Sequence, residues 1–221
     1  GIGTDNIDIV VNELDILANI DLKTREEKLE KRHLTLIRIG TSGAIQPDLP
    51  GGTAVASAWS VGLDGLMNYY DRGTDPVRDA FEQSMVDQLN WPVQLPRPYA
   101  AQASPALLER VASFCTIGIT ISAHGFYGPQ GRELRGKLAV PDMNSRLQLF
   151  HHQQLAVTNY EMESAALYGL AHLLGHEALT VCTIIANRMT SSFSGNYVDY
   201  INELTDHVLA TTIPNKNGRR Q

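Results

Sequence analysis

Two stretches of this sequence, LTLIRIG (34–40) and ALTVCTIIANR (178–188), are apolar almost residue by residue. They lack the alternation of a strand with one wet face. Strands covered on both faces read in this way, and covering both faces takes two layers of helix. Further strand patterns lie at TAVASAWSVGL (53–63) and CTIGITISAHG (115–125). Segments with helical spacing fall between and around them. NIDIVVNELDILANI places Ile7, Val10, Val11, Leu14, Leu17 and Ala18 on a helical stripe, with Asp5 or Asn6 as the expected N-cap. PALLERVA begins on Pro105, EMESAALYGLAHLLG runs to Gly175, and YINELTDHVLATTI forms a last helix before the polar tail PNKNGRRQ. The expectation is an α/β layered fold with a largely parallel sheet.

A chain of 221 residues suits a single domain over 1–221. The stretch from Asp71 to Ser104 holds four prolines and many charges. It reads as an excursion from the core, a cover or contact segment. The formal net charge of −6 argues against a protein that grips a nucleic-acid backbone, though not against a small phosphate-bearing ligand. Cys115 and Cys182 sit in apolar runs and read as buried thiols of a reducing compartment. No apolar run reaches transmembrane length and no leader pattern opens the chain, so a cytoplasmic enzyme without membrane contact is expected. The chain opens on a glycine turn, GIGTDN. Such turns follow strands, so a chain shortened at its N-terminus, lacking its first strands, is the expectation.

Four segments carry residues suited to chemistry, each where a strand ends. In RIGTSGAIQ, Arg38 interrupts an apolar strand and implies an anionic partner, either an internal carboxylate or a ligand. Gly40, Thr41, Ser42 and Gly43 read as a tight turn able to cradle an oxyanion. In GFYGPQGRELR, Gln130 and Arg132 stand two apart, so an extended loop puts them on one face. An amide beside a guanidinium matches the N–H and carbonyl edge of a uracil-like ring, with Phe126 as a stacking face. In NYEMESAALYG, Glu161 and Glu163 flank Met162 just before a helix. One of them is explained by the helix dipole, the other better by a ligand diol. In IIANR, Arg188 either orients the Gln130 loop or pairs on the surface. His151 and His152, being adjacent, make a poor metal site; Tyr69, Tyr70 and Trp91 read as packing.

RIGTSGAIQ, FYGPQGR and NYEMESAALYGLA, in this order, resemble the nucleoside phosphorylase family, specifically its uridine phosphorylase type. The opening GIGTDNIDIVVNEL is similar to that family's first turn and long helix. The resemblance spans the chain outside 71–104. It implies a three-layer αβα fold with a mixed central sheet and the phosphorolysis of uridine in pyrimidine salvage. Inorganic phosphate is the co-substrate, and neither cofactor nor metal takes part. It assigns phosphate to Arg38 and Thr41, and the ribose hydroxyls to Glu163 with Glu161 and Met162 nearby. The uracil falls to Gln130 and Arg132, with Phe126, Ile185 and Arg188 around the base. Arg132, Arg38 and Glu163 then carry catalysis. It also implies a homodimer or a hexamer built from three dimers, and a further glycine-rich phosphate turn with two arginines upstream of GIGTDN. Purine-specific relatives carry an aspartate after the last core strand, where this chain reads IIANR. The alternatives are a nucleosidase, a purine nucleoside phosphorylase, and an inactive nucleoside-binding relative.

Overall fold

The computed structural model describes residues 2–213, so the tail PNKNGRRQ and the first glycine of the opening turn lie outside the described residues. Six helices and eight strands follow in the order α1 (Thr4–Asn19), β1 (Thr35–Ala44), β2 (Ala54–Gly62), α2 (Pro76–Gln88), β3 (Tyr99–Gln102), α3 (Pro105–Val111), β4 (Thr116–Ser122), α4 (Met143–Leu149), β5 (His151–His152), β6 (Leu155–Glu161), α5 (Ser164–Leu173), β7 (Glu177–Asn187), β8 (Ser192–Phe193) and α6 (Tyr197–Thr212) among these residues. The sheet runs β3-β2-β4-β6-β1-β7-β8 and is mixed rather than largely parallel. β1–β7, β2–β4 and β4–β6 are parallel; β1–β6, β2–β3, β2–β7 and β7–β8 are antiparallel.

The β2–β7 pairing curls the sheet onto itself through Ala54↔Thr183, Val55↔Cys182 and Ala56↔Val181. One step further on, the Tyr168 hydroxyl of α5 takes the place of the next backbone bond. It donates to the Ser57 carbonyl at 2.9 Å and accepts from the Thr180 N–H at 2.6 Å. A buried phenol thus satisfies two backbone groups that the diverging strands would leave unpaired. Helices lie on both sides. Val11 of α1, Leu107 of α3, Leu170 of α5 and Val208 of α6 share one core, and Phe81 and Met85 of α2 with Leu147 of α4 share the other. This is the three-layer arrangement.

Two expectations need correction here. Helix α1 begins at Thr4, and its N-cap is Gly3, at φ 96°, not Asp5 or Asn6. A positive φ suits glycine, and it turns the chain into the helix without a capping side chain. Part of its apolar face stays open in the single chain, with Ile9 56% and Leu17 62% exposed. The segment from Asp71 to Ser104 is also more than an excursion. Asp75 caps α2 by accepting from the Val77 and Arg78 N–H groups. Phe81 stacks on Trp59 with ring centroids 4.4 Å apart, and Glu82 accepts from the Ala100 N–H at 2.8 Å, tying α2 to the edge strand β3. The prolines lie at the start of α2 and in its connection to β3, and two of its charged residues, Arg78 and Glu82, are buried beside Phe81 and Met85, so composition masked a helix packed on the core.

Because Phe81 is wholly buried, Phe81→Ala is expected to destabilise the chain by about 3–5 kcal/mol, the usual cost of deleting a buried aromatic ring. Chemical denaturation measures it; a loss below about 1 kcal/mol would return 71–104 to the status of a dispensable cover.

Candidate functional site

The strand β1 organises the site. Residues 40–43 do not form the expected tight turn: they continue β1, pairing with Cys182, Thr183, Ile184 and Ala186 of β7. Their backbone groups are therefore held in a ladder rather than gathered into an oxyanion cradle. The glycines serve close approach instead. A Cβ at Gly40 would meet the Arg38 guanidinium at 2.9 Å, and one at Gly43 would meet that of Arg188 at 3.3 Å. Two guanidiniums thus lie against β1, separated by three residues, or about 10 Å of extended chain. Thr41 sits between them, opposite Thr183.

At the first of these points Arg38 bonds to both carboxylates of the NYEMES turn, Glu161 at 3.3 Å and Glu163 more closely, and donates to the Cys182 thiol at 3.2 Å. The internal-carboxylate reading of Arg38 is what this structure contains. Burial disfavours the Arg38 charge, but its anionic neighbours outweigh that and raise its pKa above the ordinary value. Burial pushes the Cys182 thiol up to about 11 against the pull of Arg38. The thiol is therefore uncharged at neutral pH, and the two glutamates are the counter-ions.

The glutamates differ in their surroundings. Glu161 ends β6 and is spent inside the protein. It accepts from the Glu163 N–H at 2.9 Å, from the Ser164 N–H at 2.9 Å and from the Ser164 hydroxyl at 2.6 Å, and Ser164 in turn meets Ser60. It thereby satisfies the first N–H groups of α5 from outside the helix. Glu163 occupies the N-cap position of α5 without capping it. Its carboxylate turns back to Arg38 and accepts from the Gly3 N–H at 2.7 Å. Met162, half-buried, links the two. The helix-dipole role expected of one glutamate belongs to Glu161.

At the second point the loop after β4 brings Gln130 and Arg132 together, but through a tight turn and not an extended chain. Residues Gly128–Gln130 form a single 3-10 turn, and Gly131 follows at φ 70°. Arg132 donates to Gln130 Oε1 at 2.7 Å, and Arg188 donates to the same oxygen from the other side. Arg188 also reaches the Gln130 carbonyl at 3.3 Å and lies 4.7 Å above the Tyr160 ring. Of the two readings of Arg188, the structure contains the one in which it orients the Gln130 loop. Burial, and then repulsion from Arg132, lowers the Arg188 pKa to about 10; burial also lowers that of Arg132. Among the described residues neither guanidinium pairs with a carboxylate. Phe126 is half-exposed, and its ring is stacked beneath Arg132 at 3.8 Å. Ile185 is the residue skipped where the β1–β7 register shifts, and it lines a cleft with Pro47, Pro50 and Phe193 that includes neither Gln130 nor Arg132.

Several contributors escaped the sequence reading. Tyr160 lies within the NYEMES motif but resembles core. Asn144 of α4 and Ser60 of β2 carry no local signal at all; only the fold brings them to the site. Among the described residues no cluster of three or more His, Cys, Asp or Glu could hold a metal, and no helix is long and apolar enough to cross a membrane.

The sequence model of the Phosphorylase superfamily matches residues 1–211. A uridine phosphorylase of Thermococcus kodakarensis is 33% identical over 168 residues, 72% of this chain and 50% of that protein. One of Haemophilus influenzae is 30% identical over 190 residues, 85% of this chain and 62% of that protein. The chain thus spans between half and two thirds of the length of these relatives. Among solved structures, a Trypanosoma brucei nucleoside phosphorylase described as showing uridine phosphorylase activity superposes with a TM-score of 0.83 at 23% identity, covering 96% of this chain and 77% of that one.

Removing the shared cation would leave Glu161 and Glu163 facing each other. Arg38→Met is therefore expected to cost about 3–5 kcal/mol of stability, as for other broken buried ion pairs. Thermal and urea unfolding check this, and a near-neutral result would show that the two carboxylates do not depend on Arg38.

Proposed function

On the premise that this chain belongs to the Phosphorylase superfamily, we propose that it carries out the phosphorolysis of uridine, giving uracil and ribose 1-phosphate. The observation that supports this best is the convergence of Arg132 and Arg188 on Gln130 without a carboxylate partner. Two part-buried cations that repel each other are an unfavourable arrangement on their own. They become favourable when negative charge develops beside them, as it does on a pyrimidine leaving as its anion. Gln130 Oε1 faces the guanidiniums, so its amide group is fixed in direction and its N–H groups point elsewhere, suited to a carbonyl of the base.

At the other end of the site, Glu163 holds the ribose hydroxyls, with Met162 against the sugar. Arg38 and Thr41 hold phosphate, Arg38 dividing its donors between the anion and Glu163. In phosphorolysis the phosphate lies beneath C1′ and opposes the positive charge of an oxocarbenium-like transition state, while the base departs toward Arg132. No cofactor or metal enters this scheme. Asn187 favours the pyrimidine reading over a purine one. It stands at the end of β7, where the purine reading needs an acid to protonate the base. Its amide is spent on the Gln46 and Leu49 carbonyls and on the Met189 and Thr190 N–H groups.

The test is uracil release from uridine followed by chromatography with and without inorganic phosphate. Release that depends on phosphate, with ribose 1-phosphate as co-product, is the expected outcome. Uracil and free ribose in phosphate-free buffer would instead make the protein a nucleosidase, and no release in either buffer would leave a nucleoside-binding protein.

We further infer a homo-oligomer built from dimers. The support is the apolar face of α1, where Ile9, Leu14 and Leu17 stay open in the single chain. Sedimentation equilibrium at micromolar concentration is expected to show multiples of the 24.3 kDa chain; a fully active monomer would refute the inference.

A further inference from the structure

Gln130 is the buried centre of the base-facing end, 3% exposed, yet it sits on a turn rather than on a strand or helix. Something must hold that turn. Its side-chain oxygen is held by Arg132 and Arg188, as described. Its backbone is held from behind by a side chain in a different part of the fold. Asn144, on α4, donates from Nδ2 to the Gln130 carbonyl at 3.3 Å and accepts the Tyr160 hydroxyl on Oδ1 at 2.9 Å. Both ends of the Asn144 amide are thus engaged, and their roles cannot be exchanged. The carbonyl of Gln130 can only accept, and the phenol is left to donate. The fit is close: a Cβ at Gly131 would come within 2.3 Å of Asn144 Nδ2, so the left-handed glycine after Gln130 makes room for this amide. Tyr160 in turn is buried in β6, paired with Gly43 of β1 and Ile121 of β4, and supports the Arg188 guanidinium on its ring.

We propose that Asn144, oriented by Tyr160, is a positioning residue for base recognition: it fixes the backbone of Gln130 so that the Gln130 amide and the Arg132 guanidinium present one defined edge to the base. This rests on the uridine reading above for its functional consequence, but not for its structural one. Asn144 touches no part of the phosphate or ribose end. Its removal loosens the turn and spares Arg38 and Glu163. Selectivity among bases falls, and phosphate binding does not change.

The test uses the full chain with Asn144→Ala and, as a milder second variant, Tyr160→Phe, which removes the orienting hydroxyl and keeps the ring under Arg188. Two readouts are taken. The first is kcat/KM for uridine relative to cytidine, together with the KM for phosphate. Losing a hydrogen bond that aligns the reader is expected to lower the uridine-to-cytidine ratio by about tenfold in Asn144→Ala, less in Tyr160→Phe, with the phosphate KM unchanged. The second is hydrogen exchange of the 126–132 segment in the free protein, which is expected to quicken in both variants while β4 and β6 stay protected. A double variant, Asn144→Ala with Gln130→Ala, is expected to show no further loss of selectivity beyond Gln130→Ala alone. Unchanged exchange of 126–132 in Asn144→Ala overturns the proposal whatever the activity. So does a fall in uridine and cytidine turnover by the same factor. A wild-type chain that does not act on uridine, with exchange still quickened in the variants, overturns the uridine reading and leaves the positioning role of Asn144 standing.

Discussion

One guanidinium shared between two carboxylates sets the terms for the site. Arg38 is planted in β1, a strand enclosed by β6 and β7, and it meets Glu161 and Glu163 at the point where β6 becomes α5. Two glutamates separated by one residue beside an apolar helix would repel each other if left alone. The cation between them offsets that repulsion. Glu161 then binds the helix N-terminus and sets where α5 begins. Glu163 is freed from capping and turns back to Arg38 and the buried Gly3 N–H. Position of helix, turn and glycine loop all follow from where the Arg38 charge lies.

Charge is distributed unevenly along β1. The Arg38 end has two carboxylates for one guanidinium, offset by backbone N–H groups and the α5 dipole. The Gln130 end has two guanidiniums and no carboxylate among the described residues, offset only by carbonyl oxygens and aromatic faces. Carbonyl dipoles and ring quadrupoles attract a cation more weakly than a carboxylate does. The field at that end is therefore left incompletely cancelled. A carboxylate placed there would stabilise the free protein and remove the attraction for an anionic leaving group.

The layered architecture was legible because the central strands are apolar on both faces, and periodicity reports this directly. The closure of the sheet through β2–β7 was not, since pairing between distant strands leaves no mark in either one. GTSG was misread for a related reason. Glycines 40 and 43 looked like turn residues, but their small size is used by side chains passing over them, Arg38 from the same strand and Arg188 from just beyond the end of β7. Local sequence cannot distinguish a glycine that bends from a glycine that makes room. The pairings of Arg38 with a carboxylate and of Gln130 with Arg132 were readable as residue chemistry. Geometry was not: Gln130 and Arg132 meet across a 3-10 turn and a left-handed glycine, and the extended loop inferred from their spacing is absent. α4 and Asn144 had no motif to draw attention to them, because a residue that acts through another's backbone needs only an amide at the right place.

Fold alone does not choose the base. A likeness at 23% identity and a TM-score of 0.83 fixes the scaffold and leaves the pocket open. The choice rests on the last residues of β7. Asn187 uses its whole amide to tie two loops together, so in the uridine reading proposed above it offers no acid to a departing base. The next residue, Arg188, supplies fixed positive charge instead. A purine leaving group is helped most by protonation of its ring nitrogen, whereas a uracil anion carries its charge on carbonyl oxygens that a guanidinium meets directly. On the uridine reading, an amide already engaged in loop structure in place of an acid, immediately before a part-buried arginine, exchanges one form of leaving-group assistance for the other without altering the strand that carries both.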